Sequence, residues 1–169
     1  DDAAEKIGGT AGNIYAVLPA TQGMESLPPL LFSGHMDTVE PSHGKQTVVH
    51  PDGTITSNGE TVLGADDCAA LAAILEALSV IQADQPPHRM IEVLFSAAEE
   101  SYCTGIGMFD FNRIQAKEAY ILDISGPVGG AATQAPTILS FRITVHGRAS
   151  HAGFVPEAGI HAIAIAATA

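Results

Sequence analysis

The sequence predicts an α/β fold: a mixed, mostly parallel sheet flanked by helices, followed by part of an α+β unit. Three observations predict it. Short apolar runs at residues 30–32, 91–95 and 120–122 stop at polar residues, as buried strands do. Residues 68–82 switch to a helical period, with Leu71, Ile74, Leu75, Leu78 and Ile81 on one face. A histidine or an acid follows each apolar run, in His35-Met36-Asp37, Glu99-Glu100 and Asp123. Strands alternating with helical segments favour parallel pairing.

Taken in order, residues 1–12 are polar and Gly-rich and read as a frayed start. Residues 13–18 form a short strand and 30–33 a buried one. Thr47-Val48-Val49 and Thr54-Ile55-Thr56 flank an Asp-Gly turn, a hairpin pattern. The Ala-rich stretch 68–82 favours helix, with Asp66 or Asp67 as its N-cap. Pro86-Pro87 is a loop, 90–97 a strand, 102–111 a short Gly-containing helix, and 118–124 a strand. Residues 126–130 are linker-like and divide a metal-binding domain, 1–125, from the start of a second domain, 126–169. Residues 138–145 alternate, with Leu139, Phe141, Ile143 and Val145 on one side, as in a strand with one solvated face. A last helix begins near residue 158.

Composition narrows the function. Seven basic and nineteen acidic residues give a net charge of −12, which argues against nucleic acid or an anionic membrane as partner. No apolar stretch reaches membrane-spanning length. Two cysteines, Cys68 and Cys103, make no disulfide framework and fit a cytoplasmic location.

In open α/β sheets, ligands bind outside the carboxyl ends of the strands. One imidazole and several carboxylates from separate segments should therefore converge on one rim. Clustered carboxylates repel and raise one another's pKa, unless cations sit among them. This points to a metal site, with two ions. Zinc accepts His nitrogen and carboxylate oxygen, and a carboxylate such as Asp66 can bridge ions about 3.5–4 Å apart. Asp37, two residues beyond His35, is placed to orient the ring. Glu99 and Glu100 point apart in an extended segment. One can bind metal while the other serves as general base for a hydroxide between the ions. Each residue alone has a plainer reading: Asp66-Asp67 as a helix cap, Asp123 as a turn former, His151 as a surface residue.

Ser33-Gly34-His35-Met36-Asp37-Thr38, Leu63-Gly64-Ala65-Asp66-Asp67, Ala97-Ala98-Glu99-Glu100 and Leu122-Asp123 stand in the order found in the co-catalytic zinc peptidases. That family includes peptidase T, glutamate carboxypeptidase and the aminoacylases. Gly147 to Gly153 and Pro156 to Ala162 resemble the start of that family's lid domain, and the resemblance covers roughly residues 11–169. The Gly-Ala-Asp-Asp form resembles peptidase T-like members most. The resemblance implies a zinc exopeptidase-like fold and peptide-bond hydrolysis in short peptides, of the aminopeptidase kind. N-acyl amino acid deacylation or carboxypeptidase action at the same site is the alternative, and an inactive metal-binding fragment a further one.

By position, the resemblance implies His35, Asp66 and Asp123 on one zinc, and Asp66 and Glu100 on the other. Glu99 takes the acid/base role, Asp37 orients, and His151 reaches substrate from the lid. Co2+ or Mn2+ are substitutes for Zn2+, the substrate is a short peptide, and a homodimer through the lid is implied. The chain departs from the family in two ways. Cys68 stands where Lys is common. The segments that supply the family's leading helix and final metal histidine would lie outside residues 1–169, so the chain reads as a fragment.

Overall fold

The computed structural model describes residues 1–168, which divide into two compact units, 1–128 and 129–168. The first unit is built on a four-stranded sheet: β1 (Ile14–Leu18), β2 (Leu30–His35), β5 (Ile91–Ser96) and β6 (Glu118–Ile121), in the order β1-β5-β2-β6. β2 runs parallel to both β5 and β6, while β1 joins β5 antiparallel at one edge. The sheet is thus mixed and mostly parallel, as the apolar runs predict. β5 is buried along its whole length, which fits a near-continuous apolar run in a central strand.

Each face of the sheet is covered by a different segment. Helix α2 (Ala65–Asp84) lays Ile74, with Leu71, Leu78 and Ile81, against Ile91, Val93 and Phe95. On the other face Leu31 and Leu94 pack on Phe109, with Tyr15, Ile106 and Ile114 around them. Burying each large aliphatic or aromatic side chain contributes about 1.5–3 kcal/mol. β3 (Thr47–Val49) and β4 (Ile55–Ser57) form the hairpin, with Val49 opposite Ile55 and Gly53 at φ 86° in its turn. Only glycine enters that region without cost.

The structure corrects four expectations. Residues 3–7 are not frayed: Ala3–Ile7 form helix α1, closed by Gly8 in the left-handed region. The Asp1 carboxylate, which accepts the N–H groups of Ala3 and Asn13, anchors it. The helix expected over 102–111 is two separate 3₁₀ turns, Ile106–Met108 and Phe111–Arg113. Tyr102 and Cys103 have positive φ, and the Asp110 side chain accepts the Asn112 N–H to start a new turn. Neither aspartate caps α2 through its side chain. Asp66 (ψ 107°) and Asp67 lie off helical geometry, so the regular helix starts after them.

The fourth correction concerns the second unit. Residues 138–145 form no strand among the described residues, and Phe141 is 82% exposed. A strand needs a neighbour for its ladder, and no described segment pairs with this one. The unit holds an Arg148–Ile160 bridge, a Pro156–Ala158 turn and helix α3 (Ala162–Ala166), which the His161 ring caps at Ala164 N–H, 3.1 Å. No described helix is long and apolar enough to cross a membrane.

Candidate metal centre

Parallel strands finish together, and this sets the site. His35 is the last residue of β2, opposite Ser96 at the end of β5. Met36 N–H donates to the Ser96 carbonyl (2.8 Å), and Leu122 N–H donates to the Ser33 carbonyl (3.0 Å). These two bonds carry the chain ends beyond β2 and β6 to one rim, so that Asp123 and the Glu99-Glu100 turn flank His35. The start of α2 brings Asp66 and Asp67 to the same place.

In three overlapping triads, one donor atom from each residue lies within 4.8 Å of the others. They are His35, Glu99 and Asp123; His35, Asp66 and Glu100; and Asp66, Asp67 and Asp123. All four expected ligands, His35, Asp66, Glu100 and Asp123, are therefore brought together. Glu99 is among them as well, with Oε2 4.0 Å from His35 Nε2. His151 lies in the second unit, exposed, with its ring against Phe154 at 4.4 Å and Nδ1 accepting the Gly153 N–H.

His35 is 2% exposed and both of its ring nitrogens face oxygen. Nδ1 lies 2.8 Å from the Asp37 backbone carbonyl, and Nε2 lies 2.9 Å from Asp66 Oδ1. The carbonyl can only accept, so Nδ1 carries the proton and Nε2 is the nitrogen left to bind a cation. Burial works against the charged ring. The Asp66 hydrogen bond, the Asp37 carbonyl and the charges of Asp123 and Glu99 outweigh it and hold the pKa above its usual value. A proton on Nε2 thus occupies the place a metal ion would take.

Asp37 orients the ring, but through its backbone. Its carboxylate stands 3.7 Å from Nδ1 and has another task. Oδ1 accepts the Glu99 N–H (2.9 Å) and Oδ2 the Glu100 N–H (3.1 Å). One carboxylate therefore holds the turn that carries two others.

Asp67, which the sequence pattern presents only as a candidate cap, has a larger part. It is 4% exposed, and its Oδ2 accepts the His35 backbone N–H at 3.1 Å. A Cβ on Gly34 would lie 2.5 Å from that oxygen, so Gly34 leaves room for the carboxylate. Burial first, and the Asp123 and Asp66 charges next, push Asp67 above the ordinary aspartate range. Burial and then the Asp66 charge do the same to Asp123. The only sequence signal for Asp67 is its pairing with Asp66.

The donor set fits a divalent cation that accepts both nitrogen and oxygen. A buried imidazole with a fixed tautomer suits Zn2+, Co2+ or Mn2+ better than Ca2+, which prefers all-oxygen shells. Carboxylates held above their ordinary pKa by burial and by one another would be relieved by positive charge among them.

The chain is similar to known peptidases in sequence and in fold. Residues 13–109, over half the chain, match the model of peptidase family M28, and residues 134–169 match a peptidase dimerisation domain. An uncharacterized Bacillus subtilis protein, YqjE, is 39% identical over all 169 residues, which cover 44% of its length. The crystal structure of aminopeptidase PepT from Bacillus cereus aligns with 99% of this chain and 44% of its own, at 37% identity and TM-score 0.74. That of a tripeptidase from Staphylococcus aureus aligns over the same shares, at 33% identity and TM-score 0.77. The chain spans less than half the length of these relatives. Sequence and fold alike make it peptidase T-like, and the chain belongs to peptidase family M28.

Proposed function

We propose that the chain carries the metal-binding half of an exopeptidase that hydrolyses short peptides by aminopeptidase action. The convergence of His35, Asp66, Glu100 and Asp123 at the carboxyl ends of β2, β5 and β6 carries this reading. The relatives, by name an aminopeptidase and a tripeptidase, support the substrate class.

In this reading His35, Asp66 and Asp123 would hold one zinc ion, and Glu100 with Asp66 would hold a second. Bound metal supplies Lewis acidity at the scissile carbonyl and lowers the pKa of water. The protein residues supply the rest. Glu99, beside the ligands, takes a proton from the attacking water and delivers it to the leaving amine. Asp37 holds Glu99 in place through the backbone N–H bond. His151, from the second unit, donates a hydrogen bond to the oxyanion, where it stabilises the transition state more than the substrate. The second unit is a lid that pairs with its copy in a homodimer. Its match to a peptidase dimerisation domain and the exposed Ile138, Phe141 and Ile143 support this. Two free cysteines favour the cytoplasm.

The test is hydrolysis of tripeptides with a free amino terminus, with zinc or cobalt added. Glu99→Gln should abolish turnover while metal content is unchanged. Turnover that survives the substitution, or none in the parent protein, overturns the reading.

A further inference from the structure

The turn that presents Glu99 and Glu100 is backbone-strained. Ala98, Tyr102 and Cys103 all sit at φ between 54° and 62°, in the left-handed region that non-glycine residues avoid. Such a conformation persists only where surroundings over-determine it. The Asp37 carboxylate holds the apex, on the N–H groups of Glu99 and Glu100. Something must also hold the two ends.

We infer that Asn13 is a positioning residue for this turn: its side-chain amide clamps the ends together and thereby places Glu99 and Glu100. Asn13 immediately precedes β1, is 3% exposed, and its side chain bonds Asp1, Ala97 and Gly105 rather than any candidate ligand. Its Oδ1 accepts the Ala97 N–H at 3.0 Å, at the entrance to the turn. Its Nδ2 donates to the Gly105 carbonyl at 2.8 Å, at the exit, and to Asp1 Oδ2 at 2.8 Å. Both donors and the carbonyl oxygen of the amide are thus partnered, as a buried polar side chain requires. Between the clamped ends, Cys103 N–H donates to the Glu99 carbonyl (2.8 Å) and Thr104 N–H to that of Ala98 (3.1 Å). The closure is tight: a Cβ at Gly105 would collide with the Ala97 carbonyl oxygen. An amide offers two donors and an acceptor on one rigid head. Aspartate keeps the acceptor and loses both donors.

The inference rests on the metal-site reading only for its consequence; the clamp itself is tested without metal. Amide hydrogen exchange on the metal-free protein compares Asn13→Ala, Asn13→Asp and Tyr15→Phe. Tyr15 lies two residues on, in β1, but its hydroxyl bonds Glu92 and the Arg113 carbonyl, away from the turn. Asn13→Ala should speed exchange at Glu99, Glu100 and Cys103 about tenfold or more, and Asn13→Asp at Cys103, while Tyr15→Phe leaves all three unchanged. Cobalt titration gives the consequence. The binding event that Glu100→Ala removes should weaken about ten- to hundredfold in Asn13→Ala, with the His35 event kept. Unchanged turn exchange in a folded Asn13 variant, or an equal change in Tyr15→Phe, overturns the clamp. Loosened exchange in a protein that binds no cobalt keeps the clamp and removes the functional reading instead.

Discussion

The Asp67 carboxylate accepts the backbone N–H of His35, 3.1 Å away. Two adjacent aspartates therefore serve the two ends of one histidine: Asp66 faces the ring and Asp67 holds the main chain. The bond ties the start of α2 to the last residue of β2, and Gly34 is the space it needs. Asp67→Ala would leave the His35 N–H buried and unpaired, at a cost of about 1–3 kcal/mol. Asp67→Asn keeps an acceptor and should lose much less. Gly34→Ala should destabilise by a similar 1–3 kcal/mol or so through overpacking. Denaturant midpoints of the three variants check this ordering.

Asp37 should matter more to activity than to stability. Asp37→Ala frees both N–H groups at the Glu99-Glu100 apex but leaves the carbonyl that orients His35 in place. Turnover should fall about ten- to hundredfold while His35-dependent metal binding is kept. Loss of both together would show that the carboxylate acts on the ring after all. Steady-state kinetics beside metal analysis separates the two.

Metal should reverse the pH dependence of stability. In the metal-free protein His35 titrates above 6.5, its hydrogen bonds and neighbouring charges outweighing burial. A raised pKa means that the folded state binds the proton more tightly. That contribution is full below about pH 6.5 and is lost as pH rises through the folded value. Asp67 and Asp123, raised from 3.8 chiefly by burial, have the same sign: their contribution is greatest under acid and is lost as pH rises. With a chelator, Tm should fall from about pH 6 to about pH 8. With saturating zinc, which competes with these protons, Tm should rise over the same interval. Thermal scans at both pH values check it; a chelated protein that gains stability toward pH 8 contradicts it.

Away from the site, a buried carboxylate fastens the far face of the sheet. Glu92 is fully buried in β5, bonds the Tyr15 hydroxyl and accepts the N–H groups of Gln115 and Ala116. Burial first, and Glu92 next, push Tyr15 up to about 12. Its contribution is therefore full below pH 10 and lost as pH rises toward about 12. Tyr15→Phe should flatten that alkaline loss. Glu92→Ala, which strands several donors, should cost about 3 kcal/mol or more. Urea melts across the alkaline range read both.

Much of this is legible in the amino-acid sequence. The apolar runs ending in His35, Glu99 and Asp123 mark strands and, through parallel pairing, a shared rim. What the sequence conceals depends on contacts distant along the chain. Asp67 binds a backbone N–H thirty-two residues away, and the partners of Asn13 lie up to ninety-two residues off. No local pattern encodes either. The short helix α1 follows from Asp1 bonding Asn13, another distant pair. The strand expected at 138–145 has the right alternation but no described neighbour, and alternation alone cannot supply hydrogen-bond partners.

The most direct test is metal content per chain, by elemental analysis after zinc saturation and desalting, in the parent protein, Asp66→Ala and Glu100→Ala. With Asp66 as the shared ligand proposed above, zinc is expected in the parent, none in Asp66→Ala, and an ion retained by His35 and Asp123 in Glu100→Ala. No zinc in the parent, or equal loss in the two variants, would contradict a metal centre bridged by Asp66.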